Sequence, residues 1–362
     1  MIKICLLIEE LDGGGAERSA GLLSIILSNL NYEVVIITLY DNITYPYKAR
    51  LINLGKHIRG ANTVINKFYR YRKLQNEIKE NKFDLILDFR MKTVSLREFL
   101  LNTMVFNTKV INMVRSFNLS WYLPNPKTFS FYLYKNYAGI NTVSYKIQKK
   151  IGDYYGFSNI NTIYNPIDID FINSKFNLEK SILDEYVVAV GRLDANKQFD
   201  KLIEAYNVSI LPERDIKLYI IGNGAERDFL VRKIDTLNLK GKVIIFPFQE
   251  NPFVYFKQAK FLILSSKNEG FPRVLIESLA CMTPVVSFDC NSGPSEIVSH
   301  RQNGLLVENQ NFKELTNSMN EMIVNINLYN FCKVNCLNGL ERFSMQEIGQ
   351  QWKKYIDELM LN

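Results

Sequence analysis

Apolar residues occur along this chain in two alternating patterns. Short continuous runs, typical of buried strands, alternate with stretches in which apolar residues recur at helical spacing. The repeated order of strand and helix predicts an α/β protein with doubly wound parallel sheets. The runs predict strands at residues 3–8, 34–39, 84–87, 110–114, 142–144, 160–164, 186–190, 218–221, 243–246, 261–264 and 284–288.

The alternation is interrupted near residues 165–185, where a proline turn reads as a connector. A chain of 362 residues is also long for a single hydrophobic core. We therefore expect two Rossmann-like domains that face a central cleft, an N-terminal domain over 1–168 and a C-terminal domain over 169–344. The amphipathic segment 345–362 is expected to pack as a helix that completes the first domain.

The composition sets limits on the class of protein. With 47% apolar and 22% charged residues, the chain has the balance of a soluble globular protein. No apolar run approaches the roughly 18 to 20 residues that span a bilayer. The apolar start ends at Glu9 and Glu10, too early for a signal peptide, so we expect a cytoplasmic protein. The formal charge of +7 would suit an acidic partner but identifies none.

The five cysteines lack the paired spacing of a disulfide framework, so we expect reduced thiols. Cys332 and Cys336 are one helical turn apart, but without a second pair or a nearby histidine we interpret them as core thiols and not as zinc ligands. The sequence contains two histidines, His57 and His300. Their scarcity disfavours a mechanism built on a histidine base or on histidine metal ligands.

The stretch 261–297 holds the strongest candidate chemistry. Its strand leads into a loop, and the following helix is expected to start just after Phe271, with Pro272 in the first turn, where a missing amide costs little. The unpaired amides in the first turn of a helix can bind a phosphate. Glu269 lies beside them and Glu277 about two turns farther on, which fits a diphosphate flanked by two hydroxyl-rich rings, as in a sugar nucleotide. The alternative is an ordinary strand–turn–helix unit with two solvated glutamates.

Two other loops follow predicted strands. Gly13, Gly14 and Gly15 would let a ligand or another domain come close to the backbone before a helix start, but their spacing is neither that of a Walker loop nor that of a dinucleotide fingerprint. A tight turn is the alternative. Arg192 and Lys197 lie just past the strand at 186–190, where two cations could clamp a diphosphate. On spacing alone, however, they fit exposed loop cations better.

Two further patterns are set aside. Asp168-x-Asp170 resembles a metal-binding acidic pair, but nothing nearby supplies a third oxygen ligand, so we interpret it as part of the connector and predict no metal site. Gly222-x-Gly224 lacks a third glycine in register. We interpret it as a turn between a strand and a helix.

Basic and aromatic residues interleave in two segments of the first half. Such mixtures can sit on an anionic membrane surface or bind single-stranded nucleic acid, although no nucleic-acid motif accompanies them. A solvated helix face with packed aromatics is the third interpretation. The residues are Lys67, Tyr69, Arg70, Tyr71, Arg72 and Lys73 in the first segment, and Trp121, Tyr122, Lys127, Phe129, Phe131, Tyr132, Tyr134 and Lys135 in the second.

Four motifs occur in an order that resembles the retaining GT-B glycosyltransferases of family 4 over nearly the whole chain. They are the glycine loop 13–18, the interdomain turn Asn165-Pro166-Ile167-Asp168, the segment Gly191-Arg192-Leu193-Asp194-x-x-Lys197, and the Glu-x7-Glu signature from Glu269 to Glu277. Pro166 departs from the glycine that is frequent in the family. The chain is most similar to the branch that builds lipid-linked bacterial saccharides, namely O-antigen, capsule and N-glycan precursors.

This resemblance implies a nucleotide-sugar donor, commonly UDP-linked, and a polyprenyl-diphosphate-linked saccharide acceptor, with neither a metal nor a cofactor. It favours an anionic membrane surface as a partner over nucleic acid, and a peripheral location on the inner face of the cell membrane. Arg192 and Lys197 would hold the diphosphate and Glu269 the donor sugar. The other implied donor contacts are Glu277 at the ribose, Gly191 in the cation motif, the backbone of Phe271, Pro272, Arg273, Val274 and Leu275 at the distal phosphate, and Gly14 and Gly15 at the diphosphate.

Many relatives carry a histidine after the strand at 110–114, where this chain has Arg115 and Ser116. Because the departing phosphate oxygen can take the acceptor proton, we predict same-face transfer that gives an α-linkage, with Arg115 and Ser116 as acceptor-side candidates. Two alternatives stay open. One is a GT-B isomerase of the UDP-N-acetylglucosamine 2-epimerase type, disfavoured by the shortage of histidine. The other is a non-catalytic sugar-nucleotide-binding partner, which the intact motif residues argue against.

Overall fold

In the computed structural model of the chain, the described residues are 1–56, 64–175, 182 and 184–361, without the side chains of residues 64, 65 and 67. His57 and the side chain of Lys67 therefore lie outside the described part. The chain divides into two compact units. The first unit comprises Met1–Pro166 with Met345–Asn362, and the second comprises Ile167–Ser344.

The first unit is built on a seven-stranded parallel sheet with the order β3-β2-β1-β4-β5-β6-β7. Its strands are β1 (Lys3–Ile8), β2 (Glu33–Thr38), β3 (Arg50–Asn53), β4 (Leu85–Asp88), β5 (Lys109–Val114), β6 (Gly139–Thr142) and β7 (Ile160–Thr162). Its helices before residue 166 are α1 (Gly15–Asn29), α2 (Val64–Asn81), α3 (Ser95–Met104), α4 (Lys127–Tyr134) and α5 (Tyr145–Tyr155). The strand order reverses between β1 and β4, so the carboxyl ends of these two strands flank the topological switch point.

The second unit is built on a six-stranded parallel sheet with the order β10-β9-β8-β11-β12-β13. The strands are β8 (Tyr186–Val190), β9 (Lys217–Ile221), β10 (Val243–Phe246), β11 (Leu262–Leu264), β12 (Val285–Asp289) and β13 (Gly304–Glu308). The helices are α6 (Ile169–Ser174), α7 (Phe199–Asn207), α8 (Arg227–Thr236), α9 (Phe253–Gln258), α10 (Arg273–Ala280), α11 (Pro294–Ile297), α12 (Phe312–Val324) and α13 (Ile326–Val334). Here the order reverses between β8 and β11.

The C-terminal helix α14 (Met345–Leu361) belongs to the first unit. Its residues Ile348, Trp352 and Ile356 recur every four positions, lie on one face and are buried in the core of that unit. At Gly349 an added methyl group would lie 3.2 Å from Ile26 of α1, so the two helices pack closely.

The predicted α/β architecture with parallel sheets is confirmed for each unit. Helices on both faces of a parallel sheet bury its central strands, which is why these strands appear in the sequence as continuous apolar runs. Residues 4–8 of β1, for example, are all buried. The interpretation of the cysteines as core thiols is also confirmed, because all five are free and buried.

Some element predictions were wrong. The strand predicted at 142–144 is β6 at Gly139–Thr142, because Ser144 caps α5 by accepting a hydrogen bond from the amide of Ile147 at 3.2 Å. The strands β3 and β13 were missed. In the described part of the chain, no helix is both long and apolar enough to span a bilayer.

Candidate active site

The loops that follow β8 and β11 lie at the switch point of the second sheet, the usual position of a ligand site in an open α/β sheet. The first loop carries Arg192 and Lys197, and the second carries Glu269. Two hydrogen bonds tie the loops together. The hydroxyl of Ser265 donates to the carbonyl of Lys197 at 2.8 Å, and the amide of Lys267 donates to the carbonyl of Asn196 at 2.8 Å.

Lys197 and Glu269 form an ion pair across these loops. The Nζ atom of Lys197 lies 2.5 Å from Oε1 of Glu269, and the two side chains are 17% and 13% exposed. The structure therefore brings together the cation predicted for a diphosphate and the carboxylate predicted for a sugar hydroxyl. A charged pair that is mostly buried but still reached by solvent can exchange hydrogen bonds with a polar ligand.

The path of the Lys197 side chain depends on Gly191. A methyl group added at Gly191 would lie 2.9 Å from Cε and 3.1 Å from Cδ of Lys197, so the lysine crosses directly over the glycine backbone. A methyl group at Gly222 would in turn overlap the carbonyl oxygen of Gly191. Gly222 was interpreted as a simple turn residue, and no sequence pattern indicated that it packs beneath the Lys197 loop.

Arg192 has a different environment from Lys197. Its side chain is 72% exposed, and its Nε atom lies 3.4 Å from a carboxylate oxygen of Asp194. The guanidinium is therefore accessible to an anion but is held less firmly than the ammonium group of Lys197.

The start of α10 differs by one residue from the prediction. Pro272 is the N-cap and not a first-turn residue, because its backbone is extended and its carbonyl accepts the amide of Leu275 at 3.0 Å. Arg273 and Val274 therefore supply the first-turn amides, which have no helical carbonyl to bond to and carry the positive end of the helix dipole. These amides begin three residues after Gly270, on the same loop as Glu269.

A turn after β12 holds the loop that precedes α10. The hydroxyl of Ser292 donates to the carbonyl of Gly270 at 2.7 Å. Gly293 has a φ of +97° and lies so close to Pro272 that a methyl group would overlap the proline ring. Sequence reasoning assigned this turn only to a short helix start and missed its role as a support.

Glu277 is buried inside α10, in contrast to Glu269. Its Oε1 atom lies 3.3 Å from Nη2 of Arg273, and the two side chains are 5% and 7% exposed. Arg273 was singled out only for its backbone, but its side chain holds the second carboxylate of the signature.

The glycine loop of the first unit forms the start of α1. Gly13 has a φ of +72°, a conformation that favours glycine, Gly14 is the N-cap and Gly15 is the first helical residue. A methyl group at Gly14 would overlap the carboxylate of Glu17, so the side chain of Glu17 folds back over the helix start.

Arg115 and Ser116 follow β5, and they sit in different surroundings. The guanidinium of Arg115 lies 5.0 Å from the ring centre of Phe89, which follows β4. Burial raises the pKa of the Tyr122 phenol, and the charge of Arg115 offsets part of this rise. Ser116 accepts a hydrogen bond from the amide of Asn118 at 3.1 Å, an interaction that stabilises the local turn.

A buried ionic cluster at the end of β4 was missed by the sequence reasoning. It consists of Asp88, Arg90, Lys92 and Glu98, each at most 2% exposed. Charged residues are rarely buried completely, so the sequence alone would place them on the surface. Although burial raises it, Arg90 and Lys92 hold the pKa of Asp88 below its ordinary value.

The basic and aromatic segments divide into exposed and buried members. Tyr69, Phe131 and Tyr132 are exposed, as are Phe68, Leu96 and Phe99 on neighbouring positions of α2 and α3. Arg70, Tyr122 and Tyr134 are buried, so for these three the surface interpretation was wrong. Arg70 instead lies 4.8 Å from the ring centre of Tyr40.

Asp168, from the acidic pair, caps α6 by accepting a hydrogen bond from the amide of Phe171 at 2.9 Å.

Comparison with known proteins matches both halves of the chain to one kind of enzyme. The family described as Glycosyltransferase Family 4 matches residues 13–171, and the family described as Glycosyl transferases group 1 matches residues 170–335. The chain belongs to the family 4 and group 1 glycosyltransferases. The family resemblance inferred from the motifs is thereby confirmed.

Relatives of this glycosyltransferase are known from bacterial saccharide synthesis. It is 29% identical to N-acetylgalactosamine-N,N'-diacetylbacillosaminyl-diphospho-undecaprenol 4-alpha-N-acetylgalactosaminyltransferase of Campylobacter jejuni, over 98% of this chain and 100% of the relative. It is 24% identical to the amylovoran biosynthesis glycosyltransferase AmsD of Erwinia amylovora, over 99% of this chain and 100% of that protein.

Solved structures show the same fold. Sucrose-phosphate synthase of Thermosynechococcus elongatus matches with a TM-score of 0.81 at 16% identity, with both chains covered completely. Anabaena HepE in complex with UDP matches with a TM-score of 0.76 at 19% identity, over 99% of this chain and 100% of HepE. The glycosyltransferase thus has the two Rossmann-like domains of the GT-B fold.

Proposed function

We propose that this glycosyltransferase is a retaining, metal-independent enzyme that acts in the synthesis of a surface polysaccharide or glycan precursor. It moves a hexose or N-acetylhexosamine from a nucleotide sugar, UDP-linked, onto a lipid-diphosphate-linked saccharide and forms an α-glycosidic bond. The observation that carries the donor assignment is the ion pair of Lys197 with Glu269, because it joins a cation and a sugar-binding carboxylate at the switch point.

The proposed roles on the donor side follow from charge. The ammonium group of Lys197 and the exposed guanidinium of Arg192 neutralise the diphosphate, and the first-turn amides of α10 bind its distal phosphate. Glu269 accepts hydrogen bonds from hydroxyls of the donor sugar. Glu277, held by Arg273, accepts from the ribose. Gly14 and Gly15 of the first unit approach the diphosphate.

In this proposal no side chain acts as a general base. The bond between the anomeric carbon and the phosphate oxygen breaks while the acceptor hydroxyl bonds to the same face of that carbon. The hydroxyl proton passes to the departing phosphate oxygen, so atoms and charge balance. Catalysis comes from stabilising the negative charge that grows on the diphosphate, a type of effect that commonly contributes several kcal/mol per well-placed donor, about 3 to 4 in mutagenesis.

The acceptor assignment has two supports. The name of the Campylobacter relative describes transfer to an undecaprenol-linked saccharide. The region from α2 to α4 in the first unit also exposes aromatic and apolar side chains next to cations. At exposed Tyr132, for example, Nζ of Lys135 lies 5.7 Å from the centre of the ring. We propose that this surface contacts the anionic inner face of the cell membrane, with the protein on the cytoplasmic side and no nucleic acid as a partner.

The test is a transfer assay with the purified chain in the presence of a chelator. The donors are UDP-linked hexoses and N-acetylhexosamines with GDP-mannose for comparison, and the acceptors are polyprenyl-diphosphate-linked saccharides that include the Campylobacter relative's substrate. Transfer from a UDP-sugar to one of these lipids supports the proposal. Consumption of a donor without any lipid product, or a strict need for added metal, would overturn it.

A further inference from the structure

The carboxyl ends of three neighbouring strands of the first unit, β1, β4 and β5, lie at or next to its switch point. The residues that follow these strands lie along the same carboxyl edge of the sheet. Leu7 of β1 pairs with Asp88 of β4, and Asp88 pairs with Asn112 of β5. Two residues beyond Leu7 the chain reaches Glu9, which precedes the glycine loop. The carboxyl edge of this sheet therefore carries a carboxylate that the proposed mechanism does not use.

Glu9 is fixed at one of its carboxylate oxygens. Its Oε1 atom accepts a hydrogen bond from the amide of Met91 at 2.9 Å, and its backbone carbonyl accepts the amides of Leu39 and Tyr40 at 2.9 and 2.8 Å. Among the described residues, the other carboxylate oxygen has no hydrogen-bond donor. A half-buried carboxylate with one oxygen pinned and the other open is suited to accept a hydrogen bond from a ligand hydroxyl.

The buried ionic cluster explains why the Met91 amide points at Glu9. Arg90 donates to both carboxylate oxygens of Asp88 at 2.9 and 2.7 Å, and its Nη2 lies 3.3 Å from Glu98. Nζ of Lys92 lies 3.2 Å from Asp88 and donates to the carbonyl of Arg90 at 3.1 Å. These bonds fix the backbone on either side of Met91, so the cluster positions Glu9 indirectly.

Tyr122 supplies a second polar group at this edge. The residue is 5% exposed, and in the described part of the chain its hydroxyl has no hydrogen-bond partner. Burial raises the pKa of the phenol, Arg115 lowers it, and Glu17 and Glu9 raise it. The phenol is therefore within electrostatic range of both carboxylates and of the guanidinium. A phenol whose hydroxyl group has no protein partner can donate a hydrogen bond to a ligand oxygen.

We infer that Glu9 and Tyr122 form the acceptor-hydroxyl site of this enzyme, an inference that rests on the proposed function. Glu9 accepts a hydrogen bond from the attacking hydroxyl of the acceptor saccharide, and Tyr122 donates to a neighbouring oxygen of the same sugar. Glu9 orients the hydroxyl and does not remove its proton, which still passes to the departing phosphate. The acceptor side thus has polar groups for orientation without a histidine.

The decisive variant is Glu9→Gln. Its side-chain carbonyl can still accept the Met91 amide, but its NH2 group donates where the carboxylate accepts. With the lipid-linked acceptor used by the wild-type enzyme, we expect kcat/KM for the acceptor to fall about tenfold to a hundredfold, the size of a lost hydrogen bond to a charged group. UDP affinity and donor hydrolysis without acceptor should stay unchanged. Tyr122→Phe should show a smaller fall of the same kind.

Glu10→Gln is the matched control, because Glu10 is adjacent in sequence and its carboxylate already accepts a hydrogen bond from the side chain of Asn42. Its acceptor kinetics should match the wild type. The melting temperatures of all variants show whether each is folded.

The pH dependence gives a readout that a structural role would not move. Burial raises the pKa of Glu9, while Arg90 and the Met91 hydrogen bond lower it, and the result is a raised pKa. The other charged or titratable groups that face this edge are Asp88, Lys92, Arg115, Glu17 and Tyr122. Because the carboxylate is the active form, acceptor turnover should fall as the pH drops through this pKa, and Glu9→Gln should lack that acid limb.

The outcomes separate the two claims. A wild-type enzyme that transfers to no polyprenyl-linked saccharide overturns the proposed function and this inference with it. A wild-type enzyme that transfers, together with a folded Glu9→Gln variant that keeps the wild-type acceptor kcat/KM and acid limb, overturns the inference alone.

Discussion

Nζ of Lys197 and Oε1 of Glu269 lie 2.5 Å apart although 72 residues separate them in the sequence. The pair forms because β8 and β11 are neighbours at the point where the strand order reverses. In the proposed function, this pair lies where the diphosphate and the sugar of the donor meet. Each partner can therefore be tested for a separate part of the donor.

Lys197→Ala should weaken UDP binding about tenfold to a hundredfold, because the variant loses a charge-assisted contact to the diphosphate. Isothermal calorimetry with UDP measures the effect directly. Lys242→Ala is the control. This exposed lysine immediately precedes β10, so it lies at the amino ends of the strands, whereas Lys197 follows the carboxyl end of β8. Equal UDP affinity in Lys197→Ala and the wild type would contradict the assigned role.

Glu269→Ala should lower sugar transfer about a hundredfold or more and leave the fold intact. UDP alone lacks the sugar, so its affinity should change little, whereas the kcat for transfer should collapse. Steady-state kinetics with a saturating donor measures this. Glu213→Gln, in the exposed turn before β9, should behave as the wild type. Near-normal turnover of a folded Glu269→Ala variant would remove the donor-sugar assignment.

Gly293→Ala should both destabilise the protein and weaken UDP binding. Its φ of +97° strains any other residue, about 1 to 3 kcal/mol, and the added methyl group overlaps the ring of Pro272 before α10. Gly241→Ala is the control, because its φ is +80° but a methyl group there would meet nothing within 4 Å. Thermal unfolding should show a loss in both variants, and UDP binding should fall only in Gly293→Ala. Wild-type UDP affinity in Gly293→Ala would show that this turn does not support the site.

Binding to anionic liposomes should fall with added salt, because exposed cations near the surface are screened by ions. The double variant Phe131→Ala and Tyr132→Ala should bind less tightly, since it removes two exposed rings of α4. Phe229→Ala removes an exposed ring of the second unit and serves as the control. Sedimentation with vesicles measures each case. Vesicle binding that does not change with lipid charge, with salt or with the loss of these rings would contradict the membrane proposal.

Sequence patterns predicted the strands best where burial makes them continuous. β8 has the predicted bounds, because both faces of the parallel sheet are covered at this central strand and the strand contains only apolar residues. β3 was missed since it is the edge strand, is only partly buried and has a single pair of apolar residues, Leu51 and Ile52. β10 is also an edge strand and is only partly buried, but its four residues are all apolar and its bounds were predicted as observed. Strand prediction therefore depends on the length of the apolar run.

The candidate site could be predicted only one residue at a time. The resemblance of the motifs to family 4 glycosyltransferases pointed to Lys197 and Glu269, whereas spacing alone favoured an exposed loop cation for Lys197. The contact between the two residues depends on strand order, which the apolar pattern does not contain. The burial of Asp88 and Arg90 was also not predicted, because it depends on the ion pairs of Arg90 with Asp88 and Glu98 and of Lys92 with Asp88, which the apolar pattern does not contain. Glu9 was interpreted only as the end of an apolar run, although its hydrogen bond to Met91 crosses 82 positions of sequence.

The anomeric configuration of the product tests the central claim most directly. The wild-type enzyme is incubated with its UDP-sugar and a polyprenyl-diphosphate-linked saccharide, and proton NMR of the released glycan reports the coupling between H1 and H2 of the new residue. The account predicts one UDP released per sugar transferred and an α-linked product from the α-linked donor. A β-linked product, or a nucleotide sugar that is epimerised without any lipid product, would contradict it.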